Sequence, residues 1–110
     1  RHFGGLPMLS ILVNGDVKNP QVLKQMDQLE RELESLPGVG AAHSIADVAR
    51  QMNKIMHGGD EKYDAIPDDR ETISNYFMQY SVSGDAGDFN NLMDFSYQHA
   101  RIAVNISDRS

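Results

Sequence analysis

The chain has 110 residues, of which 40% are hydrophobic and 24% charged, so it is long enough for one domain with a modest core and is not disordered by composition. Sixteen acidic and ten basic side chains give a net charge of −6, which disfavours binding to nucleic acid and to anionic lipid surfaces. The absence of cysteine excludes disulfides, thiolate catalysis and cysteine-ligated zinc.

The first predicted element is a strand over residues 6–13, in which Leu9, Ile11 and Val13 share one face. Its other face is apolar as well, so we expect this strand to be central in a sheet. Asn19 followed by Pro20 predicts a helix start, and Leu36-Pro37-Gly38 predicts its end. The predicted apolar stripe of this helix is Val22, Met26, Leu29, Leu33 and Leu36, and Glu30 is among the residues expected to face water.

The residues Val39 to His43 predict a short second strand. A second helix follows, because Ser44 and Asp47 resemble a capping box. The signal for its end is His57-Gly58-Gly59. Its apolar stripe consists of Ile45, Val48, Ala49, Met52, Ile55 and Met56.

Residues 58–67 form a polar connector, and the acids at 68–71 predict the start of a third helix that ends near Ser83-Gly84. One or two helical turns are predicted over 89–93. Alternation at Ile102, Val104 and Ile106 predicts a last strand that begins as early as Phe95. The element order predicts a single α+β domain over residues 1–110, with a helical insertion at about 44–93.

No residue pattern indicates catalysis or a bound cofactor. The four histidines lack the local spacing of metal ligands, so no metal site is predicted. Asp68, Asp69 and Glu71 are better explained as charges at a helix start than as an acid/base pair. The sequence therefore predicts that the chain is not an enzyme.

A softer feature is a set of methionine and aromatic residues in the second and third helices: Met52, Met56, Tyr76, Phe77 and Tyr80. Side chains of this kind suit adaptable contacts with apolar ligands. Stripes at helical spacing more often face a core, and core packing is the default interpretation.

Five short phrases occur in the sequence at Phe3–Gly5, Leu36–Val39, Ser44–Asp47, Ile66–Glu71 and Ala100–Val104. In their order and spacing they resemble the first extracytoplasmic loop of a resistance-nodulation-division (RND) superfamily exporter. The resemblance is to the branch related to mycobacterial large membrane proteins and hopanoid transporters, and it covers nearly the whole chain.

The resemblance implies a proton-driven inner-membrane pump whose periplasmic porter domains move hydrophobic or amphiphilic, lipid-like substrates outward. It implies a ferredoxin-like porter subdomain with helices on one face of a small sheet, in which the first and third strands are neighbours. Under this interpretation the five methionine and aromatic residues are candidates to face substrate, and the partners are the rest of the transporter and its substrate. The acids that relay protons in such pumps match no position of this chain.

In the family, the third strand is followed by a further helix and a fourth strand. The present sequence stops after the third strand, and it starts with Arg1. We therefore expect an excised segment whose first strand is an open edge, through which isolated chains self-associate.

One alternative is an extracytoplasmic domain that binds another protein through this edge or its acidic helices, without a transport role. A third interpretation, a small hydrolase that uses Asp68 or Asp69 with a histidine, ranks last.

Overall fold

A computed structural model describes residues 8–82 and 98–106 as a small α+β fold with a three-stranded antiparallel sheet. The strands are β1 (Met8–Asn14), β2 (Val39–His43) and β3 (His99–Ile106). The helices are α1 (Pro20–Glu34), α2 (Ile45–Met56) and α3 (Arg70–Ser81). The predicted turns at 89–93 and the predicted strand start at Phe95 lie outside the described residues.

Local capping explains where the helices begin. The Asn19 side chain accepts a hydrogen bond from the backbone N–H of Gln21, and Pro20 fills the first helical position of α1. Ser44 and Asp47 form the predicted capping box at the start of α2. Asp69 accepts from the backbone N–H of Thr72 at 2.8 Å and caps α3. These signals are local in sequence, and the predicted starts are confirmed.

The strand order is β1-β3-β2, and β3 is antiparallel to both of its neighbours. β1 and β2 therefore run parallel with β3 between them, and α1 is the connection from β1 to β2. The predicted contact between the first and last strands is confirmed, with Ile11 opposite Ile102. The expectation of a central first strand, drawn from its two apolar faces, is wrong for the described part of the sheet, where β3 is central and β1 lies at an edge, as expected of an excised segment.

The core lies on one face of the sheet. Along β3, Ala100, Ile102 and Val104 are buried, while Arg101 between them is exposed. On β1, Ile11 packs against the core, whereas Leu12 remains 71% exposed. The apolar character of both faces of β1 therefore reflects an uncovered edge strand rather than a doubly buried one. On the helical side, the largest fully buried side chains are Phe77, Leu23, Ile45 and Ile73.

The polar connector between α2 and α3 is ordered by a buried amide. It contains a 3-10 turn at Glu61–Tyr63. The Asn53 side chain on α2 donates to the backbone carbonyls of Tyr63 at 2.9 Å and Ala65 at 3.3 Å, and it accepts from the Tyr76 hydroxyl of α3 at 2.9 Å. Asn53 thereby joins α2, the connector and α3.

Candidate functional site

A polar groove of about 640 Å³ runs between α1 and α2. The groove residues of α1 are Asp27, Glu30, Arg31 and Glu34, and those of α2 are Asp47, Arg50, Gln51 and Lys54. Each set follows the i, i+3, i+4, i+7 spacing of a single helical face, so two charged faces oppose each other across the groove. Ala42 and His43 of β2 and Asp64 of the connector complete the lining.

Arg50 is the central cation of the groove. Its Nε lies 3.0 Å from Asp27 Oδ1 and its Nη1 lies 3.0 Å from Asp64 Oδ1, while its Nη2 pairs with Asp47. Burial acts to lower the pKa of Arg50, but the hydrogen bond that Arg50 donates to Asp47 and the three negative charges raise it overall. Arg50 therefore remains a cation that links α1, α2 and the connector.

Glu30 is the least exposed charged residue among those described, at 3%. Its Oε2 accepts a hydrogen bond from Ser44 Oγ. The pKa of Glu30 is raised to about 8, chiefly by burial and also by the adjacent Asp47, while the Ser44 hydrogen bond and Arg50 oppose the shift. Glu30 is therefore mostly protonated at neutral pH.

The expectation that Glu30 faces water is wrong. Leu23 and Met26 are buried on α1, and Glu30 lies four residues after Met26, so it shares their face and is covered by the packing of α1 on β2 and α2. The spacing of Glu30 from Leu23 and Met26 could have indicated burial. It was outweighed because glutamate is rarely buried unless it has a partner. That partner, Ser44, is 14 residues away in sequence.

The two acids considered for a hydrolase, Asp68 and Asp69, make contacts of a structural kind. Asp68 pairs with Lys24 of α1. Asp69 accepts from both the backbone N–H and the hydroxyl of Thr72, and these hydrogen bonds lower its pKa. The placement of both side chains at the start of α3 favours the interpretation as helix-terminus charges. In the described ranges, no group of three or more histidine or acidic side chains is arranged to hold a metal ion.

The five candidate substrate-facing residues do not share one surface. Phe77 is fully buried and Tyr76 is nearly so, with its hydroxyl engaged by Asn53. Met52 and Tyr80 are partly buried against the core, and Met56 is 46% exposed. Four of the five therefore pack in or against the core, and contact with substrate stays a prediction for all five.

In comparisons with known proteins, no family model, no curated protein and no solved structure matches the chain. Among the helices of the described residues, none has the length and apolar character needed to cross a bilayer.

Proposed function

We propose that the chain is the porter portion of a proton-driven RND-type exporter of hydrophobic or lipid-like substrates, without catalytic activity. The observation that supports the proposal best is the β1-β3-β2 sheet, in which β1 and β2 are parallel, α1 connects them and β3 lies between. This is the partial arrangement expected of a ferredoxin-like porter subdomain, and the order of the five sequence phrases adds to it. The segment is then extracytoplasmic, in a protein of the inner membrane.

In this role the domain shapes a path and moves as a rigid body, because its helices and sheet share one core. Met56 is the predicted substrate contact that is most accessible, and it follows the partly buried Met52 by one helical turn on α2. An apolar, flexible side chain at such a position suits a lipid-like substrate without fixing its shape.

The parent protein provides the decisive test. An antibody raised against this chain is used on membrane and soluble fractions of the source cells, and we expect a membrane-embedded polypeptide several times longer than 110 residues. Protease added outside the inner membrane should destroy the epitope. A soluble polypeptide no longer than this chain would contradict the proposal.

A transport assay in the parent protein tests the substrate contact. Met56→Ala should reduce export while leaving the amount of protein in the membrane unchanged. Met78→Ala is the matched control, because Met78 is also an exposed methionine, at 61%, but lies on α3. Equal export by the two variants would contradict a contact between Met56 and the substrate.

A second candidate function, an extracytoplasmic protein-interaction domain, is favoured by the edge strand. No residue of β1 is charged, and two of its leucines, Leu9 and Leu12, are more than half exposed. In the described part of the sheet, β1 pairs with β3 alone. Edge strands of this kind recruit a further strand. A secreted parent protein without flanking apolar spans would favour this candidate over the exporter.

A further inference from the structure

Two carboxyl groups of α1 hold the junction between β2 and α2. Glu34 Oε2 accepts from the backbone N–H of Ala42 at 2.8 Å, at the end of β2. One turn earlier, Glu30 Oε2 accepts from Ser44 Oγ, and this same oxygen of Ser44 accepts from the backbone N–H of Ala46 at 3.1 Å. The N-cap of α2 is therefore attached to α1 through one hydrogen bond to a buried carboxyl.

The surroundings of Glu30 do not favour a second negative charge. Asp47 of α2 is an anion beside it, and Arg50 is already shared by three aspartates. Lys54 pairs with Glu61. The remaining charged or titratable groups that line the groove are Asp27, Arg31 and Glu34 on α1, His43 on β2 and Asp64 in the connector.

We propose that Glu30 and Ser44 form a proton-controlled latch, in which loss of the Glu30 proton releases α1 from the β2–α2 junction and widens the groove between α1 and α2. The hydrogen bond from Ser44 by itself favours an ionised Glu30, but burial and the charge of Asp47 outweigh it, so the carboxyl stays at its buried position only while it is protonated. An ionised Glu30 gains hydration only by moving toward water, and the groove is the open side of its site.

The latch predicts a coupled change in proton binding and in exposure of the junction. The pKa of Glu30 is raised from 4.5 to about 8, chiefly by burial, so the equilibrium for opening the latch rises with pH between about 4.5 and 8 and levels off above pH 8. If the released carboxyl returns to its ordinary acidity, the opening equilibrium rises by about 30-fold between pH 6.5 and pH 9.

Two measurements on the full chain test this coupling. A carbon-13 NMR titration of the Glu30 carboxyl should have its midpoint near pH 8. Amide hydrogen exchange, corrected for intrinsic rates at each pH, should show protection at Ala46 and Ala42 falling by about 30-fold from pH 6.5 to pH 9, while Ile102 in β3 keeps its protection. A midpoint in the ordinary carboxyl range, or junction protection that stays constant while Glu30 titrates, would overturn the latch.

Three variants separate Glu30 from its neighbours. Glu30→Gln keeps the shape but cannot ionise, so junction protection should be independent of pH. Asp47→Asn removes the adjacent charge and should move the midpoint of Glu30 below that of the wild type, which keeps the proposal testable if Glu30→Gln does not fold. His43→Gln removes the histidine that lines the groove and should leave the midpoint unchanged. Wild-type pH dependence in Glu30→Gln, or an unmoved midpoint in Asp47→Asn, would contradict the latch.

Discussion

The hydrogen bond between Tyr76 and Asn53 offers a sharp test of how α2 and α3 are held together. Replacing Tyr76 by phenylalanine keeps the ring in place but leaves Asn53 Oδ1 without its donor at 2.9 Å. Asn53 is only 9% exposed, so water replaces the hydroxyl poorly. An unsatisfied buried acceptor of this kind costs about 1–2 kcal/mol in the free energy of unfolding.

Asn53→Ala removes more, because it also frees the backbone carbonyls of Tyr63 and Ala65. We expect a loss of about 3 kcal/mol from three hydrogen bonds and the truncated side chain. The two substitutions share one hydrogen bond, so the double variant should be less destabilised than the sum of the single variants by about 1 kcal/mol.

Urea unfolding followed by circular dichroism measures each of these free energies. Tyr63→Phe is the control, since it retains the ring that stacks on His57 at 3.7 Å, and it should change stability by less than about 0.5 kcal/mol. Strictly additive effects of Asn53→Ala and Tyr76→Phe, or a Tyr76→Phe variant as stable as the wild type, would refute the reasoning.

Three further predictions concern Glu30, the end of α2 and the edge strand. Because the pKa of Glu30 is raised above its unfolded value of 4.5, its contribution to stability is complete below pH 4.5 and is lost as the pH rises through about 8. Between pH 4.5 and pH 7 the wild type should lose about 3 kcal/mol more unfolding free energy than Glu30→Gln in urea titrations; parallel curves would contradict this. Gly59 has φ of +84° and open space around its missing Cβ, so Gly59→Ala should lower the free energy of unfolding by about 1 kcal/mol through backbone strain alone. Gly59→Asn should lower it less, and thermal unfolding measures both variants. Equal losses of stability in the two variants would point to another cause. We expect two isolated chains to pair through β1, so Leu12→Lys should be monomeric by light scattering. The control Leu36→Lys changes a leucine outside the sheet and should still pair. A wild type that is monomeric at high concentration would exclude the pairing.

Much of the fold could be predicted because its signals are local. Each capping side chain lies within three residues of the backbone groups that it caps, as seen for Asn19 with Pro20, Ser44 with Asp47, and Asp69. The start of each helix is therefore determined by nearby sequence. The same holds for β2, which a helix-ending Pro37-Gly38 and a helix-capping Ser44 confine to Val39–His43.

The candidate groove could not be predicted, because its residues meet only when α1 and α2 pack side by side. Glu30 and Ser44 are 14 residues apart, and no pattern within either helix marks them as partners. Asn53 likewise lies within an apolar stripe of α2, and its three hydrogen-bond partners come from the connector and α3.

The sequence by itself determined the element types and their order, since hydrophobic period and capping act over a few residues. The apolar pattern of β1 favoured a central strand, and only the family resemblance implied an open edge; the tertiary structure decided that β1 lies at the edge of the described sheet and that Glu30 is buried. An alternating or helical pattern shows which residues share a face, but the neighbour that covers that face depends on contacts between distant segments. Those contacts decide whether an apolar strand remains open and whether a carboxyl keeps its proton.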